Sequence, residues 1–297
     1  MVPVALGVVV GFLAALLSGR PKSQERDSSW PTNFAHRGAS GRAPENTLEA
    51  YGLAAESGAG GIELDVHMTR DGEVVVIHDD EVERCTDGAG LVRDKSFSEI
   101  KALDAGYQFS PDAGGRFPYR GRGLRIPHLE EVFREFPDTK VNLDIKEDQT
   151  GFEEVVLRIV EDNKAEARTF VASQEHRVIK RFRRISNGRI PTSSSKFEVA
   201  LFLILSRLRL ERLLRPAFAS LQVPPRHLGI ELVTPRFIAA AHKLGVRVDV
   251  WTIDDPNEAH RLLDLGVDVI MTNEPAMLAE VLEQRKKTAS IPTIPVN

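Results

Sequence analysis

At 297 residues the chain is long enough for two ordinary domains or for one α/β barrel, which commonly takes about 200 to 250 residues or more. Apolar residues make up 42% and charged residues 28%, the balance of a globular chain, which argues against collagen-like, wholly disordered and multi-spanning membrane classes. With 39 basic and 43 acidic residues the net charge is -4, so no global positive excess exists to track a nucleic-acid backbone, and the single cysteine, Cys85, excludes an internal disulfide and a Cys-based metal site.

Residues 2–17 carry no charge, and the uncharged run extends to Gly19, long enough to approach a bilayer core of about 30 Å. The first positive charges, Arg20, Lys22 and Arg26, follow the run, which is the reverse of a secretory leader and by the positive-inside rule keeps the following domain cytosolic. The alternative is an export signal that is cleaved. Residues 1–19 are thus expected to be a membrane anchor or signal, 20–32 a linker, 33–285 the folded body and 286–297 a tail.

From Asn33 onward short apolar runs alternate with helix-like stretches, the pattern of repeated βα units around a mainly parallel sheet. Strands are expected at 33–36, 60–66, 73–78, 140–146, 168–173, 189–193, 218–223, 246–251 and 268–272. Helices opened by a cap residue or proline fall between several of them. A TIM-type (β/α)8 barrel fits, with one strand too many. The turn at 69–72 is too short for a crossover helix, so the strands it joins are expected to form a hairpin or lie side by side by another route.

Two stretches break the rhythm. Residues 84–127 are rich in Gly, Pro and charge and read as an insertion capping one end of the barrel. Residues 196–218 begin with an apolar run and continue through Arg207, Arg209, Arg212 and Arg215, which is either a helix lying on a membrane or a barrel helix with a buried face.

Barrel strands present catalytic groups at their C-terminal ends. His36 and Arg37 end the first strand and His78 the third. Glu63 and Asp65 are two apart on a strand and point the same way, a costly like-charge pair that a divalent cation such as Mg²⁺ or Ca²⁺ would resolve. Asp144 and Lys146 share one face of another strand. His128, His176, His227, His242 and His260 stand outside this pattern and read as surface or satisfied residues. Two imidazoles, three carboxylates, an arginine and a lysine at one end of consecutive strands suit metal-dependent hydrolysis of a phosphate ester.

The segments HRGASGRAPENT (36–47), GGIELDVHMTRDGEVVVIHD (60–79), LDIK (143–146), VDVWTID (248–254) and DVIMTNEP (268–275) resemble the ordered motifs of the glycerophosphodiester phosphodiesterase family. The resemblance spans about 33–285. It implies a TIM-type barrel with a small cap after the third strand, which hydrolyses glycerophosphodiesters to sn-glycerol 3-phosphate and an alcohol. It makes His36 and His78 the acid/base pair, Glu63, Asp65 and Asp144 the ligands of one divalent cation, and Arg37 and Lys146 the phosphate contacts. Asp144 stands where the family usually has Glu, and Asn273 where many members have Asp; Glu45 is expected behind the site. Trp251, with Phe109, Phe117 and Tyr119 of the insertion, is expected to line a groove for an acyl chain, as in members that act as lysophospholipase D enzymes at a membrane. The rival readings are another phosphodiesterase of the superfamily, with a different product, and an inactive phosphate-binding or membrane scaffold.

Overall fold

The computed structural model describes residues 29–112 and 114–289; the apolar stretch 2–17 and residues 290–297 lie outside them. In chain order the main elements are β1 (Asn33–His36), α1 (Leu48–Glu56), β2 (Gly61–Met68), β3 (Val74–Val76), α2 (Phe97–Ala102), α3 (Leu129–Glu135), β4 (Lys140–Ile145), α4 (Phe152–Asp162), β5 (Thr169–Ala172), α5 (His176–Ile185) and α6 (Lys196–Arg207). There follow β6 (Ser220–Val223), β7 (Arg226–His227), β8 (Ile230–Glu231), α7 (Pro235–Lys243), β9 (Arg247–Val250), α8 (Pro256–Leu265), β10 (Val269–Thr272) and α9 (Pro275–Ala289). Among the described residues no helix is long and apolar enough to cross a membrane.

Seven strands run parallel in the order β5-β4-β2-β1-β10-β9-β6. The two ends of this curled sheet are joined through residues 192–193. Ser193 N–H donates to Val171 O at 2.9 Å on one side, and Ala219 N–H donates to Thr192 O at 2.9 Å on the other. The expected strand at 189–193 is therefore reduced to two bridging residues, because Pro191 cannot donate to a ladder and Ser195 already caps α6. The ring is consistent with a TIM-type barrel. The surplus strand is β3, which folds back antiparallel on the end of β2 with Val66 opposite Val76, as the short turn required.

β2 is buried at all eight positions because it is paired on both sides. Its odd residues enter the ring. A Cβ at Gly61 would lie 2.4 Å from the Phe34 ring, so the glycine makes room for Phe34 in the barrel floor. Below Phe34 sits Trp30, 8% exposed, with ring centroids 6.1 Å from Phe34 and 5.6 Å from Phe170, and with the Lys140 and Arg247 cations over its face. Trp30 falls in the stretch expected to be linker; burying its large apolar ring ties residues 29–32 of that stretch to the barrel floor.

The opposite faces of the strands, which are the even residues on β2 and the odd ones on β4, meet the helices. Ile62, Leu64, Val66, Leu143 and Phe152 belong to one core cluster, whereas Phe202, Phe237, Val248 and Leu262 belong to a second around the other half of the ring. The stretch between β3 and α3 has a small core of its own, in which Val82, Val92, Ile100 and Ile126 pack on Val75 and Ile77. α6 resolves the ambiguity at 196–218 in part: Leu201, Phe202 and Leu205 are core, while Phe197 and Ile204 face solvent.

Candidate active site

At the C-terminal ends of the strands a cavity of ≈ 540 Å³ brings together all eight residues singled out in the sequence: His36, Arg37, Glu63, Asp65, His78, Asp144, Lys146 and Trp251. The period of two along β2 and β4 puts Glu63 with Asp65 and Asp144 with Lys146, and parallel register sets Asp65 beside Asp144 and His36 beside Glu63. After His36 the chain turns sharply through Arg37 and Gly38, at φ 56° and 83°. A Cβ at Gly38 would lie 2.7 Å from the Ala50 backbone, so only glycine lets the turn close on α1.

Asp65 is the hub of the charges. Its carboxylate lies 2.7 Å from Lys146 Nζ and 3.3 Å from Arg37 Nε, and it accepts a hydrogen bond from Asn46 Nδ2 at 2.9 Å. Burial alone would raise its pKa, but Lys146 and then Arg37 hold it down to about 2. Glu63 is pushed the other way, first by burial and then by the Asp65 charge, although its Oε2 accepts the Arg37 N–H at 3.0 Å. Lys146 also lies 2.7 Å from Asp144 Oδ2; burial would lower its pKa, but Asp144 and then Asp65 keep it raised and cationic. The other oxygen, Asp144 Oδ1, is buried without a hydrogen-bond partner.

Ionising all three carboxyls against two cations would leave negative charge in excess, Glu63 is already reluctant to ionise, and one Asp144 oxygen has no hydrogen-bond partner. Hard oxygen donors in that condition fit a divalent cation. Among the described residues no three His, Cys, Asp or Glu side chains already converge as a ligand set; the Lys146 ammonium bridges Asp65 and Asp144.

The two imidazoles are held differently. Asn273 N–H and Nδ2 both donate to Asp254, at 2.8 and 2.7 Å, which fixes its side chain so that Oδ1 faces His36. His36 Nδ1–H donates to that oxygen at 2.8 Å, leaving Nε2 as the lone-pair nitrogen. Burial first, then Arg37, lowers the His36 pKa, against the raising effect of Asn273. His78 Nδ1 instead donates to Asp79 Oδ1 at 2.6 Å. Burial would raise the pKa of Asp79, but its hydrogen bonds with Arg84 and His78 lower it, so the His78 ring sits beside a fixed negative charge.

Sequence reasoning missed several supporting groups. Arg84, from the stretch after β3, donates to Asp79 and to both oxygens of Glu45, which in turn pairs with Arg37 at 3.0 Å. Glu45 was expected behind the site; Arg84 had no periodic signal. Asn46, at φ 57°, orients Asp65 from a loop position that no strand pattern exposes. His67, 1% exposed, donates Nε2–H to the His78 carbonyl at 3.0 Å and so fixes the backbone carrying that ring. His227 is exposed, as expected of a surface residue, and also lines the cavity. Phe109, Phe117 and Tyr119 do not. Phe109 and Tyr119 pack edge to face on each other with centroids 5.4 Å apart, and Phe117 lies under the Arg120 guanidinium. The apolar wall beside Trp251 comes from Val199, Leu203 and Leu232 instead.

The sequence profile of the glycerophosphoryl diester phosphodiesterase family matches residues 36–277, a span that holds every one of these groups. The chain belongs to that family. Within the family it is 34% identical over 267 residues to a glycerophosphodiester phosphodiesterase of Caldanaerobacter subterraneus subsp. tengcongensis, across 84% of this chain and 97% of the relative. It is 28% identical to a lysophospholipase D of Rattus norvegicus, across 93% of each. The fold is similar to that of an Oleispira antarctica phosphodiesterase solved in complex with its product sn-glycerol-3-phosphate, with a TM-score of 0.70, 26% identity and coverage of 88% of this chain and 100% of the other.

Proposed function

We propose that the protein hydrolyses glycerophosphodiesters to sn-glycerol 3-phosphate and an alcohol by acid/base catalysis between His36 and His78. The observation that carries the reading is the pair of oriented imidazoles facing one cavity with Arg37 and Lys146. Arg37 and Lys146 hold the non-bridging phosphate oxygens. His36, kept neutral by burial and partnered by an uncharged amide, takes the proton from the attacking oxygen. That oxygen belongs to water or to the substrate's own glycerol 2-hydroxyl. His78 donates its Nε2 proton to the departing alkoxide, and Asp79 compensates the charge of its protonated ring. Glu63, Asp65 and Asp144 would hold one divalent cation, Mg²⁺ or Ca²⁺, supported by the unpartnered Asp144 Oδ1. Bound there, the ion supplies neutralisation of the carboxylates and polarisation of a phosphate oxygen.

A second reading is favoured by the apolar wall of Val199, Leu203, Leu232 and Trp251, which a soluble headgroup does not need. It is hydrolysis of a lysophospholipid, whose single acyl chain would lie on that wall. The stretch after β3 acts in this account as a cap, tied to the site through Arg84. Placement of residues 2–17 at a membrane with the barrel cytosolic, or export after cleavage, rests on their sequence.

The test uses the full chain treated with chelator and then supplied with Mg²⁺ or Ca²⁺, assayed on glycerophosphocholine, glycerophosphoethanolamine and a lysophospholipid. Restored release of sn-glycerol 3-phosphate from the two soluble diesters, or of lysophosphatidate from the lysophospholipid, is expected, and the preferred substrate separates the two readings. Full activity after chelation would remove the cation; no turnover of any diester would leave the scaffold reading.

A further inference from the structure

The mouth of the cavity is bordered by a surface that the reaction does not use. On α6 the core face carries Phe202, Val199 and Leu203 line the cavity, and Phe197, Ile204 and Leu208 are 43%, 53% and 62% exposed one strip further round. Ala200 and Lys196 belong both to the cavity lining and to the exposed surface, so the two are continuous. Beyond the helix the exposed apolar surface continues through Leu210 and Leu213.

The hairpin β7–β8 borders the same cavity, through His227 and the adjoining Leu232. Its tip is Leu228, 88% exposed, followed by Gly229, and both have left-handed backbone, φ 49° and 76°. The first central position of such a turn is normally Asn, Asp or Gly, because a branched apolar side chain is sterically disfavoured there. A leucine held in that conformation and pointed into solvent is served neither by turn chemistry nor by hydration.

Along α6 and the residues after it the unpaired charge has one sign. Lys196, Arg207, Arg209, Arg212 and Arg215 are exposed, and among the described residues none is in an ion pair. The acidic residues of the same stretch, Glu198 and Glu211, are neutralised by Arg183 and Arg236 at 2.7 and 2.6 Å. In a chain of net charge -4 this is a local excess of cations interleaved with leucines. Arginine alternating with exposed leucine is the pattern of an interfacial segment, and its cationic excess is complementary to an anionic lipid surface.

We propose that this face docks the barrel on an anionic lipid bilayer, with Leu208, Leu213 and Leu228 entering the headgroup layer and the arginines meeting lipid phosphates. Docking brings the cavity mouth to the lipid surface, and it does not depend on which diester is cleaved.

The test is hydrogen exchange on the full chain with phosphatidylcholine vesicles, with and without phosphatidylserine. Protection at 204–215 and 226–231 is expected only with the anionic lipid. Reading those segments separates this face from any binding by residues 2–17. Ile204→Asp with Leu208→Asp should lose the protection, and Arg207→Gln with Arg209→Gln and Arg212→Gln should weaken vesicle binding by this face about a hundredfold. Both variants should keep wild-type turnover of glycerophosphocholine. Absent protection, equal protection on zwitterionic vesicles, or self-association of the lipid-free protein that the aspartate variant abolishes would overturn the proposal. Loss of glycerophosphocholine turnover by the wild type would instead sink the catalytic reading and leave the docking result standing.

Discussion

The two halves of the barrel contribute opposite chemistry to one cavity. β1, β2 and β4 deliver His36, Glu63, Asp65 and Asp144, while α6 and the strands beyond it deliver Val199, Leu203, Gln222 and Trp251. In the first half the charges sit on strands clamped by neighbours on both sides, with β2 and β4 in register over six residue pairs. In the second half the wall is largely the side of a helix whose outer strip is exposed. Rigid strand ends are where charges can be placed to within fractions of an ångström, whereas an apolar wall needs shape and little direction. Catalysis and substrate choice are therefore separable by mutation.

The largest effects belong to the first half. His78→Ala should lower kcat on glycerophosphocholine by about 10²- to 10⁴-fold. A diester with an activated nitrophenolate leaving group needs no acid, so it should recover most of the loss in His78→Ala and none of it in His36→Ala. Equal recovery in both would reverse or abolish the assignment of roles. Calorimetric titration with Mg²⁺ or Ca²⁺ should give wild-type binding in His78→Ala; lost binding would make His78 a ligand of the ion.

Next is the partner of His36. Asn273→Asp places a carboxylate beside the ring, which favours the protonated imidazole and raises its pKa. The base is then lost at higher pH, so the acid limb of the kcat/KM profile should move to more alkaline pH. Asn273→Ala should lower kcat by about 10- to 100-fold through lost orientation without that alkaline shift. A purely structural role would leave the acid limb in place in both variants.

In the second half Leu203→Ser should leave glycerophosphocholine turnover within about twofold and raise KM for a lysophospholipid by about tenfold, the worth of a few buried methylenes. Parallel loss on both substrates would join the wall to the chemistry.

The smallest effect is on stability. Burial would raise the pKa of Glu198, but its hydrogen bonds and charge pairing with Arg183 lower it overall, so the pair contributes stability above the ordinary carboxylate range that is lost as pH falls through the depressed value. Glu198→Gln should cost about 1 to 3 kcal/mol by denaturant titration at neutral pH, and the difference from wild type should shrink in acid.

The strand ends were legible because a period of two fixes which side chains share a face: Glu63 with Asp65, and Asp144 with Lys146, could only point together. The β2–β3 hairpin followed from the length of its turn. What was illegible came from positions without a period. Asn46 acts from a left-handed loop residue, and Arg84 from a segment with little regular structure. α5 escaped because its N-cap, Glu175, makes no side-chain cap and five basic residues interrupt its buried Val178, Ile179 and Phe182. The aromatics of 109–119 misled because a large ring near a site is as readily packed on its own loop as on a ligand.

The central claim is that His36 starts the hydrolysis of a glycerophosphodiester in this cavity. Its most direct test is release of sn-glycerol 3-phosphate from glycerophosphocholine by the full chain, wild type against His36→Ala, with folding of both verified by circular dichroism. The account predicts turnover by the wild type and a loss of about 10²-fold or more in the variant; equal rates in two folded proteins would contradict it.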